Sequence, residues 1–155
     1  MIPHYETQHN GYTISTNKNA LNVPLIHQFL SEESYWAQQI PLPTVITSIN
    51  NSLCFGMYFE EQQVGFARLI TDTATFAYLA DVFIVPAHRG KGLSKWMLAT
   101  IHAHPHLQGL RRWLLGTKDA HSLYEQFGWK RFGDEQTKRF MQLHNPNVYN
   151  QQTER

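Results

Sequence analysis

Apolar and polar positions recur with two different periods along this chain, and each change of period marks an element. Residues 12–16, Tyr-Thr-Ile-Ser-Thr, form a short β-prone run that predicts an edge strand. Residues 1–11 before it are polar and hold Pro3 and Gly11, the composition of an irregular lead. From Asn22 the spacing becomes helical: Leu25, Ile26, Phe29 and Leu30 share a face, and Pro24 fits the first turn. Pro41 and Pro43 interrupt it, and residues 43–51 predict a second helix with Val45, Ile46 and Ile49 on one side. Three strands follow over 53–59, 64–70 and 75–85, joined by polar turns. Both alternating sets of the third are apolar except at Asp81, the pattern of a strand covered on both faces.

Pro86 ends that strand. Leu93, Trp96, Met97, Thr100 and Ile101 then mark one helix face, and Pro105 stops the helix. Residues 113–115 predict a further strand, reached by a helical crossover and therefore parallel to the third. Ala120, Leu123, Tyr124 and Phe127 predict a short helix, with Asp119 to cap its start and Gly128 to end it. Residues 129–132 and 140–143 read as a closing hairpin. The whole predicts a mixed α/β layer architecture around a mostly antiparallel sheet with helices on both faces. Its 155 residues suit a single domain, with 1–11 and 144–155 as flexible tails.

Composition narrows the partners. Thirteen basic against twelve acidic residues leave a net charge of +1, so no strong field favours nucleic acid or an anionic membrane. Cys54 is the sole cysteine, which excludes an intrachain disulfide. No apolar run reaches membrane-spanning length, and no basic segment followed by an apolar stretch opens the chain. The expectation is a cytoplasmic protein. His102, His104 and His106 invite a metal, but Pro105 breaks the helical spacing between them, and no metal is expected.

The strongest local signal is the run Val85-Pro-Ala-His-Arg-Gly-Lys-Gly-Leu-Ser94. A buried strand enters a glycine-rich turn that opens directly into an amphipathic helix. Such a turn presents backbone N–H groups and the positive end of a helix dipole. Gly90 and Gly92 permit positive φ, and Arg89 and Lys91 add charge. This is a site for phosphate or pyrophosphate, or else a tight turn with solvated basic residues. It matches neither a P-loop nor a three-glycine dinucleotide fingerprint.

The run Arg89, Gly90, Lys91, Gly92, Leu93 and Ser94 resembles the R/Q-x-x-G-x-G/A loop of the GNAT superfamily of acyl-CoA-dependent N-acyltransferases. Residues 79–86 resemble that family's central fourth strand. Residues 119–129, Asp-Ala-His-Ser-Leu-Tyr-Glu-Gln-Phe-Gly-Trp, resemble its N-x-x-A-x-x-L-Y-E-K-x-G-F segment. Ser94 replaces the usual small residue, and Asp119 stands where Asn is common. The resemblance implies a GNAT-like fold and acetyl-CoA as cosubstrate. Its pyrophosphate would lie on the amides of residues 89–94, and its pantetheine arm beside Val82, Phe83, Ile84 and Val85, bonding the backbone at Phe83 and Val85. An amide near Val82 would polarise the acetyl carbonyl. Asp119 would stand near CoA, and Tyr124 would be the general acid for the departing thiolate. Periodicity alone lets Tyr124 simply extend the apolar stripe of its helix.

Asp81 admits three readings: a base acting directly or through water, an anchor for a cationic acceptor, or a structural partner of a basic side chain. Tyr35 and Trp36 either line the acceptor side or plug the first helix pair. The implied activity is transfer of an acetyl group to a primary amine of a small molecule or peptide, by direct attack in a ternary complex. The competing readings are a non-catalytic acyl-CoA sensor and an interaction domain with a degenerate pocket. A homodimer through an exposed C-terminal strand is also expected from the resemblance.

Overall fold

Asn10 and Gly11 both adopt the left-handed conformation, with φ of 50° and 82°, so the chain reverses within two residues. On either side of them β1 (Glu6–His9) and β2 (Tyr12–Ser15) pair antiparallel. Residues 6–9 of the expected lead are therefore a strand, and β2 is no edge: β1 holds that place. The structure is a computed structural model that describes residues 2–152; Met1 and residues 153–155, which belong to the two expected tails, lie outside the described residues. The chain gathers into two compact units, Met1–Gly116 and Thr117–Arg155.

In the first unit, α1 (Val23–Gln28) starts where the Asn22 side chain accepts the Leu25 N–H at 3.1 Å, with Pro24 in the first turn. It runs into one wider turn over Phe29–Glu33, closed by the Ser34 N–H on the Phe29 carbonyl. After a short irregular stretch comes α2 (Leu42–Asn50), which buries Val45 and Ile49; Ile46, expected beside them, is exposed. The strands β3 (Leu53–Phe59), β4 (Gln62–Thr71) and β5 (Phe76–Ile84) form the expected meander. A single connection carrying α3 (Leu93–Ala103) leads to β6 (Arg112–Leu115), parallel to β5. The six strands lie in sequence order.

Neighbouring residues of β3 show how the sheet is covered. Cys54 lies against the carbonyl of Ile49 in α2 at 3.7 Å, while Phe55 meets the ring of His104, just after α3, at 5.8 Å. Successive side chains point to opposite faces, so α2 and α3 cover opposite sides. β3 and β4 are buried through their centres. Against the expectation from its sequence, the first half of β5 is not covered on both faces: Phe76 and Tyr78 are exposed beside Ile70 of β4. On α3, Leu93, Met97, Leu98, Thr100 and Ile101 are buried. Trp96 is only half-buried and meets His9 of β1.

In the second unit, α4 (His121–Glu125) carries Tyr124, which is buried and packs against Trp129. Asp119 does not cap it. The N-cap is Ala120, whose N–H goes to the Thr117 hydroxyl at 3.1 Å. No closing hairpin forms over 129–143. Instead α5 (Asp134–Arg139) occupies its middle. Local signals there favour a helix: acids in the first turn, bases in the last, and the Gly133 N–H on the Gln136 side chain at 3.0 Å. The C-terminal strand expected to form a dimer is thus absent among the described residues. A last helix, α6 (Val148–Gln152), lies within the segment expected as a flexible tail.

Candidate active site

The site is built where β5 outruns β6. β6 pairs only with Phe76–Leu79, so Val82 and Ile84 extend past it. Two residues of β5, Asp81 and Val82, stand against one of β4, Ala67, because the register passes from Phe66↔Phe83 to Arg68↔Ala80. This is a β-bulge, and Asp81 carries it with φ of 53°. Few side chains accept that conformation; Asp is among those that do.

The bulge decides which backbone groups face out. The Val85 N–H is spent on the Val64 carbonyl at 2.8 Å. Alternation turns Phe83 toward β4 as well, and turns Val82 and Ile84 away from it. The expectation that Phe83 and Val85 present their backbone is corrected at Val85, whose N–H is already taken within the sheet. The Ile84 carbonyl takes the Arg89 Nε–H at 2.8 Å, which folds the arginine back onto the strand end.

Beyond Val85, a single turn over Pro86–His88 is fixed by the Tyr12 hydroxyl and His88 Nδ1, 2.8 Å apart. Gly90 and Gly92 follow with φ of 78° and 75°. A Cβ at either would meet no atom within 4 Å, so the turn is open on that side. Gly92 is the N-cap of α3, and no side chain caps that helix. The helix bonding begins at Trp96 N–H on the Gly92 carbonyl. The first-turn amides of Leu93, Ser94 and Lys95 therefore face the turn together with the dipole, in a segment that also carries Arg89 and Lys91. This arrangement fits a diphosphate group.

Asp81 has two strong partners. Its Oδ2 accepts from Arg68 Nε and its Oδ1 from Trp36 Nε1, each at 2.8 Å. Of the three readings left open by sequence, the ion-paired one describes its contacts. Trp36 stands edge-on to Tyr35, with ring centres 5.0 Å apart, and both are exposed. Sequence reading overlooked Arg68, although it is the only charged residue of β4 and thus the natural counterpart to the lone charge of β5. Tyr124 and Asp119 belong to the second unit.

Other groups carry no comparable chemistry. Burial pushes the Cys54 thiol up to about 11, unsuited to a nucleophile. A cavity of about 500 Å³ is lined by Asn17, Lys18, Asn50, Ser52 and Thr71 among others, without the loop or the bulge residues. Among the described residues, no three His, Cys, Asp or Glu side chains converge to hold a metal, and no helix is long and apolar enough to cross a membrane.

Residues 50–131 match the family model described as an acetyltransferase (GNAT) domain, a stretch that runs through both units. A Gibberella zeae protein named as an acetyltransferase is 35% identical over 120 residues, which cover 63% of this chain and 68% of that protein. A crystal structure from Xanthomonas campestris pv. campestris, described as a GNAT-family acetyltransferase, is 45% identical. It superposes with a TM-score of 0.85 over 92% of this chain and 98% of that one. A GNAT acetyltransferase from Elizabethkingia anophelis, crystallised with acetyl-CoA bound, shares the fold at 11% identity, with a TM-score of 0.61 over 81% of this chain and 80% of that one.

Proposed function

The chain belongs to the GNAT acetyltransferase family, and from that premise we propose that it moves the acetyl group of acetyl-CoA onto a primary amine by direct attack in a ternary complex. The observation that carries this reading is the continuity of one segment. A bulged strand outruns its neighbour and enters an open two-glycine turn, which delivers the uncapped start of α3. The amides of Gly90, Gly92, Leu93 and Ser94 would hold the diphosphate, with Arg89 and Lys91 adding charge. The pantetheine would run beside residues 82–85, along the side from which β6 has departed.

In this reading the Val82 N–H donates to the thioester carbonyl and stabilises the oxygen as negative charge develops on it. The amine arrives neutral, having lost a proton to solvent. Its nitrogen bonds to the acetyl carbon, the carbon–sulfur bond breaks, and the amine's second proton passes to solvent. Tyr124, carried over from the family's L-Y-E segment, gives the departing thiolate its proton and regains one from solvent. Asp81 is assigned to hold the bulge rather than to act as base, because both its oxygens already carry donors. Tyr35 and Trp36 are assigned to the acceptor side, where two exposed rings can receive an amine or its apolar arm.

The test is a thiol-release assay with acetyl-CoA against amino acids, polyamines, aminoglycosides and peptides. Amine-dependent release is expected. Tight CoA binding with no release for any amine would instead make the chain an acyl-CoA sensor.

A further inference from the structure

We propose that Arg68 is a positioning residue for acetyl transfer: through Asp81 it fixes the bulge of β5, and with it the direction of the Val82 amide. The inference rests on the reading of that amide as the donor to the thioester carbonyl.

The peptide plane carrying the Val82 N–H begins at the Asp81 Cα, so the Asp81 backbone angles aim that N–H. Asp81 is held with φ of 53°, a region that L residues rarely occupy. A carboxylate free to turn would let the strand relax toward ordinary extended geometry, swinging the amide with it. The side chain is clamped from both ends. Arg68 Nε takes Oδ2 and Trp36 Nε1 takes Oδ1.

Arg68 is clamped in turn. Its Nη1 donates to the Ser52 hydroxyl at 3.1 Å, and that hydroxyl donates to the Ser48 carbonyl in α2 at 2.6 Å. A continuous path of hydrogen bonds thus ties the end of α2 to the bulge and on to Trp36. The pair is sheltered: the Arg68 and Asp81 side chains keep 16% and 8% of their exposure, so water competes little for these bonds. A planar guanidinium can serve Asp81 and Ser52 in one fixed geometry.

The experiment follows the carbonyl stretch of carbonyl-13C acetyl-CoA bound to the whole protein, together with kcat, KM and thermal unfolding. Wild type is expected to lower the carbonyl frequency on binding. Arg68→Met should lose most of that shift and about 10²-fold in kcat, the effect of removing one oxyanion donor. The acetyl-CoA KM should stay near its wild-type value, because the diphosphate turn is intact. Asp81→Asn should behave alike, and the double variant Arg68→Met/Asp81→Asn should be no worse than either single one.

A full carbonyl shift with unchanged kcat in Arg68→Met would overturn the proposal, as would parallel losses of kcat and acetyl-CoA affinity. If Arg68→Met fails to fold because Asp81 is left buried and unpaired, the double variant carries the same test, since it leaves no unpaired charge. An unshifted carbonyl in wild type would instead refute the Val82 reading itself, and the role of Arg68 with it.

Discussion

The ring of Phe29 lies flat on that of Phe83, with centres 3.9 Å apart and planes 9° apart. Phe83 also meets Phe66 across the β4–β5 ladder. The turn after α1 is thereby fastened to β5 two residues past Asp81. Phe29 is almost wholly buried, so truncation leaves a cavity against the sheet. Phe29→Ala is expected to cost about 3–5 kcal/mol, read as a lower denaturant midpoint with an unchanged slope.

Gly92 tests the diphosphate turn. Its left-handed φ makes any L side chain strained by about 1–2 kcal/mol, yet no atom stands within 4 Å to clash. Gly92→Glu should therefore fold, and should weaken CoA binding by about 10- to 100-fold through repulsion at the helix start. Calorimetric titration measures the loss, and Gly92→Ala separates the strain from the charge. Unaltered CoA affinity in the glutamate variant would remove the diphosphate from this turn.

Tyr124 is tested by splitting turnover from binding. Tyr124→Phe keeps the ring that packs on Trp129 and removes only the hydroxyl. Turnover should fall by about 10²-fold while acetyl-CoA affinity is retained. Equal losses in both would take away its role as acid.

His104 sets a pH dependence. It has no exposed surface, and its Nδ1 accepts the His106 N–H at 3.1 Å. The ring proton is thereby assigned to Nε2, which is buried without a hydrogen-bond partner. Burial, aided by repulsion from His106, holds its pKa below the ordinary 6.5. His102, half-buried, shifts the same way. Below the ordinary value the unfolded chain then binds more protons than the native one. This contribution to stability is whole above pH 6.5 and is lost as the pH falls from there toward the native pKa. The melting temperature should be lower at about pH 5 than at about pH 7.5. His104→Asn, whose amide oxygen can take the His106 N–H, should flatten that slope.

The meander, α3 and the parallel β6 were legible because each is written as a long, regular period or a punctuated turn. The two-glycine turn was legible because glycine at positive φ leaves a mark in sequence. β1 was overlooked although Asn10-Gly11 is a strong hairpin signal, because its strand is short and polar. The stretch 129–143 misled because aromatic residues at both ends suggest strands, while charges and a cap in its middle specify α5. The bulge itself was invisible. A register shift is a relation between two strands, and only the opposed lone charges Arg68 and Asp81 hinted at it.

Every ladder of the sheet but one is antiparallel; β5 and β6 run parallel and meet only after the chain has travelled through α3. Parallel pairing is slightly weaker per residue, and this ladder has four pairs against seven for β3–β4, so β6 opens more readily than the centre of the sheet. Hydrogen exchange should accordingly run faster at Arg112–Leu115 than in the centres of β3 and β4. The side along which β5 stands alone is then the one held by the shorter of its two ladders.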